Sequence, residues 1–481
     1  MVKALPLYDL PSAFGPPLPG AGFLSYNYNE RETIMNIFRA LRLDQTPSPP
    51  VLCFTGSGGK TTAMFKVARL WAERNKQNAV FVAATTHLAA WQIPLADRHI
   101  TVGADEIRIP DEGVVLFTGE TEGGRTKPVD ENSLQWIRAV SRQKNIPLLI
   151  EADGSRQKPL KAPAEHEPPI PAFAEIVVHV SGLSALGKPL NEENIHRAKI
   201  FSDLTGLAMG ETIAPQTLLK YLTHPQGALK NIPQNAKRIA LLNQAETPEL
   251  LSSAGRIAPQ LLNDFDAGIV GSLHLENLQL IERAAGIVLA AGTSSRYGQP
   301  KQLLDWNGKS LVRQVTETAL RSGLEPVVVV SGFRHADIES HLRDLPIKLT
   351  HNPAYAQGQA TSIQAGLSAL PQNVGSAVFL LADQPQVPVE VIRALVESHW
   401  SERQTILAPL VLEEKRANPV LFDRAAFADL KQLEGDVGGR AIFDKHRVSY
   451  LPWHDDTLLF DVDEPEDYEK LKGMKWTENK G

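Results

Sequence analysis

Twice along this chain a short apolar run ends in a loop of small residues, and a helical run follows. Continuous apolar strands spaced by helices are buried on both faces, which requires a mostly parallel sheet with helices packed on either side. The first series has apolar runs at Val51–Thr55, Ala79–Ala84, Val114–Phe117, Leu148–Ile150, Ile176–Val180, Ile239–Leu242 and Ile269–Val270. Thr62–Arg74 puts Phe65, Ala68 and Ala72 on one helical side. The second series starts at Gly286, with runs at Ile287–Ala290, Pro326–Val330, Ile347–Thr350, Ala377–Leu381 and Thr405–Ala408. Helical spacing falls near 309–322, 335–343, 359–370 and 388–400. The segment 272–284 joins the two series and is the predicted boundary.

Residues 1–45 precede the first series. Residues 1–29 are rich in Pro and Gly and read as an irregular arm. Glu30–Leu43 has helical spacing, with Ile34, Ile37, Phe38 and Leu41 on one face, and Pro47, Pro49 and Pro50 stop it.

The length of 481 residues suits about three average domains or two large α/β domains. The net charge of −6 argues against a general nucleic-acid binder, whose footprint is basic, and leaves room for a small phosphorylated ligand that needs only local cations. The single cysteine, Cys53, excludes an internal disulfide and a Cys-based zinc site, and fits a reducing cytoplasm, the expected location. The first residues have no basic flank followed by an apolar core, and no apolar run approaches the ~18 residues of a membrane span.

Phe54-Thr-Gly-Ser-Gly-Gly-Lys-Thr-Thr62 joins a predicted strand to a predicted helix, the context a phosphate-binding loop needs. Gly56, Ser57, Gly58 and Gly59 let backbone N–H groups turn inward around phosphate oxygens, and the helix start adds positive potential. Lys60 reaches the terminal phosphates and the Thr61 hydroxyl sits on Mg²⁺, with Thr62 continuing the loop. The strict G-x-x-x-x-G-K-[ST] pattern fails, because its first glycine falls on Phe54. The shorter form resembles the loop of Mur ligases. A partner carboxylate is expected at another strand end, and Leu148–Ile150 runs into Glu151 and Asp153. Asp153 is the expected Mg²⁺ ligand and Glu151 a candidate to position water. Thr85-Thr86-His87 ends a further strand, with His87 assigned no chemistry.

The residues from Glu151 onward, EADGSRQKPLKAPAEHEPPIP, and the later VSGLSALGKPLNEENIHR, together with GSGGKTT, resemble the YqeC proteins over roughly residues 30–275. That resemblance implies a P-loop fold over 46–275 and a link to the maturation of selenium-dependent molybdenum hydroxylases, with a hydroxylase apoenzyme as partner. Arg156, Lys158, Lys161, His196 and Arg197 are candidates for a cationic rim. Asn243-Gln-Ala-Glu246 lacks the Lys and Asp of a guanine-reading N-K-x-D sequence, so ATP and GTP both stay open at the P-loop.

Ile287-Val-Leu-Ala-Ala-Gly-Thr-Ser-Ser-Arg-Tyr-Gly-Gln-Pro-Lys301 is the second loop. Small residues at Ala290, Ala291 and Gly292 let backbone approach a base and a triphosphate, and Leu289 before them is a further expected nucleotide-binding residue. Arg296 and Lys301 supply cations where nucleotidyl transfer puts charge on the α-phosphate and the departing pyrophosphate. The stretch matches the L-A-A-G-x-S-x-R-x-G-x-x-K signature of nucleotidyltransferases and most resembles the MocA-like molybdenum cofactor cytidylyltransferases. Asn352–Ile363, Phe379–Pro385, Gly435–Arg440 and Leu459–Asp467 match further stretches of that family. The resemblance implies a Rossmann-like nucleotidyltransferase sheet over 284–481, Asp383 as Mg²⁺ ligand, and Asp463 as the second ligand with Asp461 close by. Ala290-Ala291, where guanylyltransferases of this fold carry Ala-Gly, favours CTP. Where the family often has Gly-His-Pro, this chain has Ala417-Asn418-Pro419, which leaves the hold on a pterin open.

The expected fold class is α/β in two domains, a P-loop NTPase-like parallel sheet followed by a Rossmann-like nucleotidyltransferase sheet. The expected reaction is Mg²⁺-dependent transfer of CMP from CTP to molybdenum cofactor with release of pyrophosphate. A sugar-1-phosphate nucleotidyltransferase and a non-enzymatic cofactor chaperone are the alternatives. Nucleotide and pterin are the expected partners, with no nucleic acid and no membrane.

Overall fold

The computed structural model describes residues 35–75, 78–103, 108–154, 156–294 and 297–474. They fall into two compact units that meet in sequence between Ile281 and Glu282. No helix among the described residues is long and apolar enough to cross a membrane.

The first unit is built on nine strands: β1 Val51–Gly56, β2 Ala79–Ala84, β3 Arg98–Thr101, β4 Gly113–Thr118, β5 Leu148–Glu151, β6 Ile176–Gly182, β7 Lys237–Asn243, β8 Ala267–Val270 and β9 Gln279–Ile281. Their order is β9-β8-β7-β6-β1-β5-β2-β4-β3. All pairs are parallel except β8 with β9. Alternate side chains of β1 serve opposite faces. Leu52 and Phe54 join a core with Met64, Ala68 and Trp71 of the helix Lys60–Arg74. Val51 and Cys53 join a core with Leu134 and Ile137 of the helix Glu131–Lys144.

The helix expected over Glu30–Leu43 is shorter within the described residues. Asn36 is extended and its side chain caps the amide of Arg39, so the helix begins at Ile37 and ends at Ala40. Arg42 then adopts a left-handed conformation before a 3-10 turn over Leu43–Gln45. Ile37, Phe38, Leu41 and Leu43 pack into the first core, with Phe38 edge-on to Trp71 at 5.4 Å, so this segment belongs to the first unit. Ile34 lies outside the described residues. The division between Ile281 and Glu282 lies inside the segment 272–284, where β9 completes the first sheet as an antiparallel edge.

The second unit carries β10 Arg283–Ala290, β11 Val327–Ser331, β12 Lys348–His351, β13 Val374–Leu381, β14 Ile406–Val411, β15 Lys415–Arg416, β16 Val420–Asp423 and β17 Val448–Trp453. The order is β12-β11-β10-β13-β16-β14-β15, with β17 pairing β14. β10 to β13 are parallel, and β16 enters antiparallel between β13 and β14. Val288 and Ala290 face one core and Ala285 and Ile287 the other.

From β10 the chain runs to β11 and β12 on one side and returns to β13 on the other. The strand order therefore reverses between β10 and β13, and the region outside their carboxyl ends is where ligands bind in open α/β sheets. Leu241, fully buried in the middle of the first sheet, tests the core directly. Leu241→Ala is expected to lower unfolding stability by about 2–5 kcal/mol, read by urea denaturation of the full chain.

Candidate functional site

Each unit presents one site at the carboxyl edge of its sheet. In the first, β1 runs into the loop at Gly56–Gly59 and then into the helix that starts at Lys60. Gly56, Gly58 and Gly59 all have positive φ (88°, 77° and 118°). A Cβ at Gly56 would run into the Val180 carbonyl oxygen, and one at Gly58 into the backbone of Gly182. Glycine is therefore required here both for backbone conformation and for room. The Ser57 amide donates to the Val180 carbonyl at 2.7 Å and the Gly58 amide to the Lys158 carbonyl at 3.2 Å; the Ser57 hydroxyl also donates to that Lys158 carbonyl. Among the described residues, no protein acceptor meets the amides of Lys60, Thr61 and Thr62.

The neighbouring strand β5 pairs with β1 so that Phe54 faces Glu151 in register. This places the acids of that strand end beside the loop. Lys60 Nζ donates to Glu151 Oε1 at 3.1 Å and lies 3.5 Å from Asp153 Oδ1. The Thr61 hydroxyl donates to Glu151 Oε2 at 2.8 Å. The structure thus brings Glu151, rather than Asp153, to the threonine expected to meet Mg²⁺. Asp153 instead accepts from the Gly56 amide at 3.3 Å, and its Oδ2 lies 2.8 Å from Lys161 Nζ. The reason is register: Glu151 is the last strand residue, while Asp153 lies past it in the following turn.

Lys60 is almost wholly buried. Burial works against its charge, but Glu151 and Asp153 outweigh it and hold the ammonium above the ordinary lysine range. Of the residues expected to form a cationic rim, Lys161 is buried, and Arg197 is turned to a carboxylate, donating to Glu167 at 2.7 and 2.9 Å. Burial opposes ionisation of Glu167, yet Arg197 and Lys161 bring its carboxyl down to about 2.

His179 was not singled out in the sequence. It is the fourth residue of β6, buried behind Gly56, with Nδ1 3.1 Å from the Thr55 hydroxyl. Burial pushes the imidazole down to about 4, with Lys161 and Lys60 adding to the effect and Asp153 opposing it. The ring is neutral at pH 7. Only strand pairing brings it to the loop, so no local motif could reveal it. His87 turns instead to the Thr126 carbonyl at 2.8 Å.

In the second unit the loop after β10 spans the switch point. The Ala382 amide donates to the Leu289 carbonyl at 3.2 Å and the Phe333 amide to the Ala291 carbonyl at 3.2 Å. Gln302 Nε2 donates to the Gly292 carbonyl at 2.6 Å, and the Ser294 hydroxyl accepts from the Lys301 amide at 3.1 Å. Arg296 lies outside the described residues. Lys301 Nζ donates to Asp383 Oδ2 at 3.1 Å and to Asp463 Oδ1 at 2.9 Å, so these three residues meet. Burial again opposes the charge of Lys301, and Asp383 and Asp463 raise its pKa above the usual range. Asp461 accepts from Gln384. Burial, and then Asp383 and Asp463, lift its carboxyl above the ordinary value, against the Gln384 hydrogen bond.

Two hard carboxylates already sharing one cation suit Mg²⁺. Among the described residues no three His, Cys, Asp or Glu side chains are arranged to hold a metal ion alone. Stretches far apart in sequence also meet in this unit. The Ala360 amide donates to the Gly435 carbonyl at 3.2 Å, and Arg440 Nη2 donates to Asn418 Oδ1 at 3.4 Å. Asn352 Nδ2 bonds the Thr361 and Ser362 hydroxyls at 2.8 and 3.0 Å, which fixes the entry to the helix Gln359–Ser368.

Residues 52–199 match the family model described as YqeC protein, and residues 286–450 the one described as MobA-like NTP transferase domain. A protein of Escherichia coli (strain K12) named Uncharacterized protein YqeC is 30% identical over 233 residues, covering 47% of this chain and 88% of that protein. Purine catabolism protein PucB of Bacillus subtilis (strain 168) is 30% identical over 203 residues, covering 39% of this chain and 95% of that one. Molybdenum cofactor cytidylyltransferase of Escherichia coli (strain K12) is 26% identical over 186 residues, covering 38% and 92%.

His179 carries a pH prediction. Its folded pKa, about 4, lies below the ordinary 6.5, so between those values the unfolded chain binds the extra proton. Stability therefore falls as pH drops from about 6.5 to 4, by roughly 3 kcal/mol at most. His179→Asn is expected to flatten that slope in denaturation curves measured at successive pH values.

Proposed function

This chain belongs to the YqeC family through its first unit and to the MobA-like NTP transferase family through its second, and from that premise we propose that it matures molybdenum hydroxylases by moving CMP from CTP to molybdenum cofactor. The second unit is a nucleotidyltransferase. The observation that carries the reading is Lys301 held between Asp383 and Asp463 at the switch point beside Leu289–Gly292.

Leu289, Ala290, Ala291 and Gly292 admit the base and ribose. Lys301 exchanges its carboxylates for the triphosphate, and Arg296, read from the sequence, adds a second cation. Asp383 and Asp463 would hold Mg²⁺, which neutralises charge on the α-phosphate and the leaving pyrophosphate. The acceptor's terminal phosphate oxygen attacks the α-phosphorus in line, and the bond to pyrophosphate breaks. Positioning and charge do the work, so no protein nucleophile is required. Arg440, joined to Asn418, borders the acceptor's end of the site.

The first unit binds ATP or GTP. Lys60 takes the phosphates and Thr61 and Glu151 the Mg²⁺ side, with Asp153 next to them. Its turnover gates loading or release of the cofactor toward a hydroxylase apoenzyme. Gating requires that the nucleotide states interact differently with what they control.

Three experiments test this. Asp383→Asn is expected to reduce pyrophosphate release from CTP and acceptor at least about 100-fold while the fold survives. Mass spectrometry of products from CTP and GTP, with molybdenum cofactor or sugar 1-phosphates, identifies the pair used; a sugar nucleotide as sole product would overturn the acceptor. Lys60→Ala is expected to leave single-turnover cytidylyl transfer intact and to lower activation of a target hydroxylase. No change in either measurement would remove the gate.

A further inference from the structure

The first unit holds a second buried ammonium close to its loop. Lys161 Nζ, on a side chain 1% exposed, reaches Asp153 Oδ2 at 2.8 Å, Glu167 Oε2 at 2.7 Å and the Gly154 carbonyl at 2.7 Å. The ammonium donates to the Gly154 carbonyl, and two carboxylates lie at ion-pair distance on its other sides. Glu167 is itself fixed by two bonds from Arg197, which also donates to the Ala162 carbonyl at 3.1 Å. Lys161 is therefore a fixed cation, unable to swing to a ligand without breaking this network.

Asp153 stands between the two lysines. Its Oδ2 takes Lys161 and the Gly56 amide. Its Oδ1 is buried, accepts no hydrogen bond among the described residues, and lies 3.5 Å from Lys60 Nζ. A nucleoside triphosphate in the loop needs Lys60 at its phosphates, so Lys60 has to leave the carboxylates. Glu151 then keeps the Thr61 hydroxyl. Asp153 would be left as a buried anion, a costly state unless another cation compensates it. Among the described residues, Lys161 and the Gly56 amide remain on it.

We propose that Lys161 is a positioning residue of this site: it is the permanent counter-charge of Asp153, and it frees Lys60 to exchange carboxylate for the phosphates of a nucleoside triphosphate. The inference rests on the reading of the loop as a nucleotide site. It assigns Lys161 no contact with the nucleotide. Removing Lys161 leaves Lys60 tied to Asp153, and removing the Asp153 charge makes Lys161 dispensable.

The test is a double-mutant cycle on the full chain, read by titration with fluorescent ATP and GTP analogues in Mg²⁺. Lys60→Ala defines the loop-dependent part of the signal. Lys161→Met is expected to weaken that part at least tenfold. Lys161→Met with Asp153→Asn is expected to bind within threefold of Asp153→Asn alone. If Lys161→Met does not fold, the double variant, which buries no unpaired charge, still supplies the deciding comparison. A tenfold loss from Asp153→Asn to the double variant overturns the proposal, because Lys161 would then act on the nucleotide or on the fold directly. Loss of all loop-dependent binding in Asp153→Asn also overturns it. Equal binding by wild type and Lys60→Ala instead refutes the nucleotide reading itself and leaves a purely structural network.

Discussion

Parallel pairing sends the carboxyl ends of neighbouring strands to one edge of a sheet, and both sites of this chain depend on that constraint. β1 and β5 run side by side, so the loop after Gly56 and the acids after Ile150 emerge together. β10 and β13 do the same for the loop after Ala290 and for Asp383. An antiparallel neighbour would send those partners to the opposite edge. The hydrogen-bonded ladder, itself buried by helices on both faces, thus fixes which side chains can meet.

The two sites share a second feature. In each, one lysine ammonium is divided between two carboxylates: Lys60 between Glu151 and Asp153, and Lys301 between Asp383 and Asp463. The pairs differ in burial. Lys60 and its partners are nearly closed from water, whereas Asp463 is about half exposed. Burial makes an unpaired charge expensive, so the first site needs further compensation, which Lys161 and the Gly56 amide give to Asp153. The second site has water to hydrate whatever the lysine leaves.

The strands and the two loops were legible because their signals are local. An apolar run that ends in glycine or alanine and leads on to a lysine declares itself within one short stretch, Val51–Lys60 or Ile287–Lys301. The strand Arg98–Thr101 was not legible, since it is a partly exposed edge with polar residues and carries no apolar run. Within the described residues the helix before the first strand is confined to Ile37–Ala40, because Asn36 caps its start, a backbone feature that apolar spacing does not register. The acids at 151 and 153 were visible as a pair, but their division of labour was not. Which one meets Thr61 depends on where the strand stops.

The sequence by itself determined the class of the fold, the two glycine- and alanine-lined loops, and the lysines and carboxylates that serve them, since each is written in contiguous residues. Only the tertiary structure decided that Glu151 meets Thr61, that His179 stands neutral behind Gly56, that Lys161 is buried against Asp153, and that Lys301 joins Asp383 and Asp463 across 82 and 162 positions of chain. Those contacts come from strand register and from charges driven to pair where water is excluded. Neither is a property of any short stretch of chain.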